Sequence, residues 1–405
     1  LSTYYNQSYT YLYDINISDM MKDNGSYCPL IFNEIYADSS GEYRLCCHAR
    51  STETSRKYKS QTHKPFEYFN SPEMEDKRDK VLSGTKLPEC VTCYKQEEVN
   101  PDGESYRQRK LRQYSYELPT HVDKVNLKLR INGTYCNLSC YMCIPYNSST
   151  RRNEMNKIYP EGWDFFSTSK FVSVKHKEYE MIVEDILNNI EKVDTIHITG
   201  GEPLQLPNHW KLIDRIPDEH AKNIELVYDT NLTQIRYKNH SVYDVQNKFK
   251  KVTWGVSCDH YGDKLSWIRY PINVKEFYDN LKEIKEAGFK TYLNCTISLL
   301  NIFDLEEIDN YYADMGVRIN FNSIVNTPNF LSIRHLPLEK KQNIIKRLEA
   351  LNRKDYRGVD KFQLVKTQLK LDGDEEKLKL AYDYMDKLSK NRNFDWRKLW
   401  PDFLK

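Results

Sequence analysis

The sequence of 405 residues has a formal net charge of only +2 and no long hydrophobic run. Its 60 Lys and Arg residues face 58 Asp and Glu residues, so electrostatics gives no preference for nucleic acid or an anionic membrane. Nucleic acid as a substrate stays open. No run of about 18 apolar residues occurs, which predicts no transmembrane helix. Residues Leu1 to Ile17 are polar and tyrosine-rich rather than basic and then apolar, so we expect a cytoplasmic protein.

Cysteine, in contrast, is abundant. Ten cysteines in a chain without a secretion signal are better explained by metal or redox chemistry than by disulfides, because the cytosol keeps thiols reduced. Eight of them are clustered, which fits two metal sites. The first group is Cys28, Cys46, Cys47, Cys90 and Cys93, the second is Cys136, Cys140 and Cys143, and Cys258 and Cys295 stand alone.

The length of the chain predicts two domains with short extensions. After an N-terminal extension over residues 1–24, turn signals and five cysteines indicate a small cysteine-organised domain over residues 25–118. Residues 119–336 alternate short apolar runs with helix-like segments, which predicts a parallel sheet in an α/β partial (β/α)6 TIM-like barrel. Residues 337–405 read as a helical C-terminal extension that covers the barrel or meets a partner.

Six strands and five helices follow from the periodicity. Glycines at 288 and 316 stand where helix C-termini favour them. The predicted strands are Lys124 to Arg130, Thr195 to Thr199, Glu225 to Tyr228, Val252 to Ser257, Thr291 to Ser298 and Val317 to Asn322. The predicted helices are Glu178 to Ile190, Val274 to Ala287, Leu305 to Met315, Glu339 to Leu351 and Glu375 to Leu388.

The second cysteine group forms one tight loop. Cys136, Cys140 and Cys143 follow the first predicted strand of the barrel and so fall at its C-terminal end, where parallel α/β folds place active sites. Three thiolates can hold three irons of a four-iron cubane and leave the fourth iron open to a ligand. Zinc, which usually takes a fourth Cys or His, and three unrelated buried thiols are the alternatives.

The spacing C-x3-C-x2-C after a first strand resembles the signature of the radical S-adenosylmethionine (SAM) superfamily. The second strand ends in Gly200-Gly201-Glu202-Pro203, which is similar to the GGEP loop of that family, and glycine lets a backbone approach a ligand closely. Thr230-Asn231, Ser257-Cys258-Asp259 and the segment from Trp267 to Tyr270 follow in the order that the family shows.

The resemblance implies a [4Fe–4S] cluster on Cys136, Cys140 and Cys143, with SAM on the open iron. By the same resemblance, the backbone of Met142 would meet the adenine of SAM, and Gly200, Gly201 and Glu202 would receive its amino group. Ser257 would contact the ribose or the carboxylate, and Arg269 would pair with the carboxylate. Asn231 also matches a SAM-binding position of the family. An ion pair at the surface is the alternative for Arg269. His260 departs from the glycine common there, which leaves the roles of Asp259 and His260 open.

The first cysteine group resembles the SPASM and shorter twitch domains of radical SAM enzymes, here placed before the barrel. By that resemblance Cys28, Cys46, Cys90 and Cys93 hold one auxiliary [4Fe–4S] cluster. The spacing from Gly41 favours Cys46 over Cys47 as ligand, and His48 could compete. Structural zinc on four thiolates is the alternative.

The resemblance thus implies reductive cleavage of SAM to a 5′-deoxyadenosyl radical, which takes hydrogen from a substrate, with a flavodoxin or ferredoxin as reductant. SPASM and twitch relatives favour a peptide or protein side chain as substrate, for oxidation, crosslinking or epimerisation. A small molecule such as a sugar, nucleotide or cofactor precursor is the alternative. A non-catalytic zinc protein that binds a partner is the alternative of another class. The sequence assigns no acid, base, radical relay or oligomeric state.

Overall fold

A computed structural model describes residues 25–99, 105–113, 123–130, 133–166, 174–355 and 358–404. The predicted N-terminal extension, residues 1–24, lies outside the described residues. One sheet of eight strands organises the fold, and a short two-stranded hairpin lies outside it. The strands are β1 (Glu34–Ala37), β2 (Tyr43–Arg44), β3 (Val125–Leu129), β4 (Val193–Ile198), β5 (Glu225–Thr230), β6 (Arg236–Tyr237), β7 (His240–Ser241), β8 (Lys251–Ser257), β9 (Lys290–Ile297) and β10 (Ile319–Ile324).

The sheet order is β10-β9-β8-β5-β4-β3-β1-β2, and β6 pairs with β7 in the hairpin. All neighbours in the large sheet are parallel except β1 and β2, which are antiparallel. The six parallel strands of the α/β barrel prediction are therefore confirmed as β3, β4, β5, β8, β9 and β10. Their carboxyl ends meet at one edge, as an active site in this class of fold requires.

Strands β1 and β2 were not predicted. All four residues of β1 are buried, so the segment shows none of the polar and apolar alternation that marks a half-exposed strand. It pairs with β3, from Glu34 opposite Asn126 to Ala37 opposite Leu129. The sheet thereby crosses the boundary expected near residue 118, and the division into domains stays a prediction.

The two faces of the sheet differ in polarity. In β5 the buried residues alternate with partly exposed ones, and buried Tyr228 stacks on Trp254 of β8 with ring centroids 4.6 Å apart. The other face carries polar groups such as Asp229 and Thr253, which line a cavity. Strand alternation therefore packs apolar side chains on one side and builds a polar chamber on the other.

Helices pack around this sheet, and the five predicted ones are confirmed with ends shifted by a few residues. No helix among the described residues has the length and apolar character to cross a membrane. The α-helices are Leu30–Asn33, Glu53–Lys57, Pro65–Phe69, Pro72–Leu82, Val91–Val99, Tyr106–Gln113, Ser149–Ile158, His176–Asn188, Pro207–Arg215, Asp218–Ala221, Val242–Lys248, Gly262–Ile268, Val274–Glu286, Leu305–Asp314, Leu338–Leu351, Gln363–Leu369, Glu375–Arg392 and Trp396–Leu399.

Candidate active site

The loop with Cys136, Cys140 and Cys143 follows β3 and lies at the carboxyl edge of the sheet. Its backbone is held by the segment after β8: the amide of Ser139 donates to the carbonyl of Tyr270 at 2.6 Å, and that of Tyr141 donates to Ile268 at 2.9 Å. The loop is therefore fixed by a second part of the chain, as a rigid ligand loop needs to be.

The Gly200-Gly201 turn packs directly on this loop. Both glycines have positive φ angles, +90° and +56°, and a Cβ atom on Gly201 would lie 2.3 Å from the carbonyl oxygen of Tyr135. The next amide, that of Glu202, donates to the same carbonyl at 2.8 Å. Only glycine allows this approach, so the turn and the cysteine loop form one backbone unit.

The carboxylate of Glu202 is buried and points to the end of β5. It accepts hydrogen bonds from the hydroxyl of Thr230 at 2.7 Å, the amide of Asn231 at 2.6 Å and the amide of Leu204 at 3.2 Å. Burial raises the pKa of Glu202 to about 7, although these hydrogen bonds lower it. Three of its acceptor positions are filled, which leaves room for one further donor.

Asn231 connects β5 to the cysteine loop. Its side-chain amide donates to Oδ1 of Asn137 at 2.9 Å and lies 3.8 Å from Sγ of Cys136. The amide of Leu138 also donates to that sulfur. Hydrogen bonds to the sulfurs tune iron–sulfur clusters, so these donors match the chemistry expected of a cluster ligand.

Arg269 is buried rather than on the surface, and 7% of it is exposed. Its Nε lies 2.8 Å from Oδ2 of Asp259, and its Nη1 lies 3.8 Å from Sγ of Cys140. Asp259 also accepts from the amide of Thr296 at 2.7 Å. The aspartate thus positions the guanidinium beside a cluster cysteine, while the predicted contact with SAM stays a prediction.

His260 faces away from the cysteine loop. Its Nε2 lies 2.9 Å from Oδ2 of Asp304, and its ring stands edge-on to Trp400 with centroids 6.1 Å apart. Burial lowers the pKa of His260, so the neutral ring is the favoured form. The residue that departs from the family pattern therefore packs the C-terminal segment against the barrel.

Of the other predicted SAM contacts, Met142 is buried in the core and Ser257 lines the polar cavity at the end of β8. This cavity has a volume of about 800 Å³, which is enough for a nucleoside and part of a substrate. It extends from Ser257 to Lys290 at the start of β9. The cavity therefore runs from the carboxyl end of β8 to the amino end of β9.

A cluster of buried charges that the sequence did not reveal supports the cysteine loop from behind. Arg151 donates to the carbonyls of Cys143 and Tyr141, each at 3.2 Å, and pairs with Glu154. From the C-terminal helix, Arg392 donates to the carbonyl of Ser139 at 2.5 Å and pairs with Glu154 at 2.7 Å. The helical extension therefore holds the loop in addition to covering the barrel.

The loop thiols are buried beside these cations. Burial raises the pKa of Cys143 to about 11, with the charge of Cys140 adding to the effect and Arg151 opposing it. Iron would replace the protons, since the thiolate is the metal ligand. Within the described residues, no set of three His, Cys, Asp or Glu side chains is arranged to hold a single metal ion. The three thiols, the amide donor to sulfur and the glycine turn together fit a four-iron cluster.

The N-terminal cysteines form a second group. The pKa of Cys28 is raised to about 12 by burial and also by the charge of Cys93. The charge of Cys28 in turn helps to raise the pKa of Cys46 and of Cys90, which burial raises most. Backbone amides of Leu30, His48 and Arg107 donate to the sulfurs of Cys28, Cys46 and Cys93. These charge effects relate Cys28 to Cys46, Cys90 and Cys93, and the auxiliary cluster on the four cysteines stays a prediction.

Cys47 faces a different way from Cys46. It lines the polar cavity, and its Sγ lies 3.5 Å from Nζ of Lys128. The neighbouring His48 ring stacks on Tyr106 with centroids 4.3 Å apart. Of the two adjacent cysteines, Cys47 therefore lines the chamber, whereas Cys46 is not among its lining residues.

Comparison with protein families decides what this edge of the sheet is. Residues 133–314, which contain the cysteine loop, the glycine turn, Ser257 and Arg269, match the model of the Radical SAM superfamily. The chain contains a radical SAM domain. The match agrees with the [4Fe–4S] cluster and SAM that the resemblance of the sequence implied. The N-terminal twitch assignment stays a prediction.

Among curated proteins, none matches the radical SAM chain. Among solved structures, native anSMEcpe with bound AdoMet is similar at 15% identity and a TM-score of 0.41, over 56% of this chain and 60% of that one. Streptococcus suis SuiB bound to S-adenosylmethionine is similar at 16% identity and a TM-score of 0.37, over 69% of this chain and 57% of that one. The chain thus spans less than two thirds of the length of each.

Proposed function

We propose that this radical SAM enzyme holds its catalytic [4Fe–4S] cluster on Cys136, Cys140 and Cys143 and an auxiliary one on Cys28, Cys46, Cys90 and Cys93. The observation that carries the proposal is the unit made by the cysteine loop and the Gly200-Gly201 turn, where a Cβ would meet a carbonyl at 2.3 Å. This close contact supports the proposal, because it holds the glycine turn against the loop that carries the three thiols. When bound and reduced, the cluster and SAM together supply a 5′-deoxyadenosyl radical.

The residues around the cluster position SAM rather than react with it. Glu202 has one acceptor position left for the amino group, because three are filled by β5 and its own turn. Arg269 forms an ion pair with Asp259 at 2.8 Å, and its guanidinium would pair with the carboxylate of SAM. Ser257 reaches the cavity from the end of β8 and would meet the ribose or the carboxylate.

The auxiliary site is supported by its sulfur neighbours. Three of its four thiols receive backbone amide hydrogen bonds, and Arg107 lies beside Cys28 and Cys93 while paired with Glu97. A four-thiolate cluster has no open iron, so we propose electron transfer or support of the substrate pocket as its role, with a purely structural role as the alternative. Cys46, and not Cys47, is the fourth ligand, because Cys47 faces the chamber.

For the substrate we propose a peptide or protein side chain, on the SPASM and twitch likeness of the cysteine pattern, with a small molecule as the second candidate. The chamber of about 800 Å³ has room for one side chain or a small ligand next to SAM. Electrons would come from a flavodoxin or ferredoxin type of reductant in the cytoplasm.

The first test is SAM cleavage. With dithionite and SAM under anaerobic conditions, the reconstituted enzyme is expected to release 5′-deoxyadenosine, and Cys140→Ala is expected to abolish this release. Cys258→Ser is the matched control, since Sγ of this buried cysteine contacts the hydroxyl of Tyr312 at 2.8 Å and the carbonyl of His260 at 3.3 Å. Equal release from wild type and Cys140→Ala would refute the assignment.

The second test counts metal. Wild type is expected to hold about eight irons and matching sulfide per chain, since each cubane contains four. Cys90→Ser is expected to lose about half of this iron, whereas Cys47→Ser keeps it. Stoichiometric zinc without iron would instead identify a zinc-binding protein, and equal iron loss in both variants would contradict the choice of Cys46.

A further inference from the structure

The chamber beside the proposed SAM site has an unbalanced charge. Six basic side chains line it, whereas Asp229 is the single carboxylate among its described lining residues. That carboxylate already has partners, because its Oδ2 lies 2.8 Å from Nε2 of His197 and its Oδ1 lies 3.4 Å from Nδ2 of Asn294. The six basic residues are Arg109, Lys110, Lys128, Arg130, Lys290 and Arg318.

Three of these cations stand close together where two elements meet. Arg109 and Lys110 lie on the helix Tyr106–Gln113, over the ring of Tyr106 at 5.1 and 5.6 Å, and Lys128 points in from β3 beside Cys47. In the described part of the chain, none of the three has a carboxylate within 4.0 Å. Burial lowers the pKa of Lys110, and Lys128 and Arg109 add to this effect against the opposing charge of Glu34.

Arg130 extends the positive charge towards the SAM end. It follows β3 directly and packs against the Gly200 turn, where a Cβ would lie 3.2 Å from the Arg130 Cβ. Its Nε is buried and has no hydrogen-bond partner among the described residues. A buried guanidinium nitrogen without an acceptor is costly, so an acceptor supplied from the cavity would stabilise it.

The clusters themselves do not account for this charge. The cations that act most strongly on the loop thiols Cys140 and Cys143 are mainly Arg269, Arg151 and Arg392, with Arg130 contributing only to Cys143. On the auxiliary side the corresponding cation is Arg107. None of these except Arg130 lines the chamber. Arg109, Lys110 and Lys128 therefore stand apart from the cations that serve the cysteines.

We propose that the chamber binds its substrate through oxyanion groups, carboxylate or phosphate, that carry at least two negative charges. Arg109, Lys110 and Lys128 hold one group at the side of the barrel, and Arg130 meets the end nearest to SAM. Arginine and lysine side chains recognise both kinds of oxyanion. The inference rests on the proposed function, because it takes the chamber end at Ser257 as the place of the reactive SAM carbon.

The test uses the iron-loaded enzyme with SAM, and inorganic pyrophosphate and citrate as probes of the two oxyanion types. Calorimetric titration under anaerobic conditions is expected to show binding of at least one probe, and the stronger of the two identifies phosphate or carboxylate chemistry. The affinity is expected to fall as salt is raised from 0.05 to about 0.5 M, because salt screens charge attraction.

Two variants connect the binding to the chamber. Lys110→Gln and Arg109→Gln are each expected to lower the affinity for the probe by about tenfold, which corresponds to the loss of one charge-assisted contact. Lys275→Gln removes the same charge from a side chain that is 86% exposed on another helix and is expected to bind the probe as wild type does.

The outcomes separate this inference from the proposed function. Release of 5′-deoxyadenosine by wild type tests the function by itself. If release occurs but neither probe binds, or if the two chamber variants bind as tightly as Lys275→Gln, the oxyanion inference is wrong and the proposed function stands. If both chamber variants lose binding of the probe and Lys275→Gln keeps it, the inference is supported.

Discussion

Replacement of Arg392 by methionine tests whether the C-terminal helix holds the cysteine loop. The Arg392 side chain is fully buried. It donates to Glu154 at 2.7 and 2.9 Å, to the carbonyl of Trp267 at 2.9 Å and to the carbonyl of Ser139 at 2.5 Å. Methionine keeps the apolar stem and removes all four contacts.

The expected loss of unfolding free energy follows from the buried groups that lose Arg392 as a partner. Glu154 keeps Arg151 as a partner, but two buried carbonyls lose their donor and the carboxylate loses half of its compensation. Breaking a buried ion pair by removing one partner costs about 3–5 kcal/mol, and we expect a loss of this size in the free energy of unfolding. Because Ser139 lies inside the loop, iron retention by the catalytic site is also expected to fall.

Urea unfolding followed by tryptophan fluorescence measures the stability, and iron analysis after desalting measures retention. The matched control is Arg397→Met, which breaks the ion pair of Arg397 with Asp386 at 2.5 Å near the same end of the chain. Both of those side chains are more than a third exposed, so the control is expected to cost less than about 1 kcal/mol. A cost below about 1 kcal/mol for Arg392→Met as well would refute the reasoning.

Three further predictions concern the same unit. Gly201→Ala is expected to lower 5′-deoxyadenosine release by about 100-fold, because the added Cβ would displace the turn. The control is Gly288→Ala, which is expected to keep full release, because Gly288 also has a positive φ but a Cβ there would meet no atom within 4 Å. Equal effects of the two substitutions would contradict the prediction. Burial alone would raise the pKa of Glu154, but Arg392, Arg151 and the hydroxyl of Ser139 together lower it from 4.5 to about 2. The charge of Glu154 therefore stabilises the fold above pH 4.5 by about 3 kcal/mol. In urea titrations, Glu154→Gln is expected to be less stable than wild type at pH 7, and this difference in unfolding free energy is expected to narrow below pH 4.5. A difference that does not change with pH would disprove the prediction. Tyr384→Phe removes a 2.6 Å hydrogen bond to a carbonyl of the cysteine loop and is expected to lower unfolding free energy by about 1 kcal/mol, with no change counting against the contact.

Local patterns predicted much of the barrel. Short apolar runs located the six parallel strands, and amphipathic spacing located helices such as Val274–Glu286, because burial imposes these patterns. The cysteine loop and the glycine turn were visible since each is continuous in sequence. By contrast, β1 was not predicted, because a strand that is buried on both faces shows no alternation of polar and apolar residues.

The sequence by itself determined the radical SAM domain and the candidate cysteines, since spacing within a loop survives any change in how distant segments pack. Tertiary structure alone decided which groups meet across the chain. It placed Cys47 at the wall of the chamber, paired Arg269 with Asp259 and brought Arg392 to Glu154 over 238 residues. It also gathered basic residues from a helix and several strands around one chamber. Charge balance in a cavity depends on which side chains face it, and no short stretch of sequence contains that information.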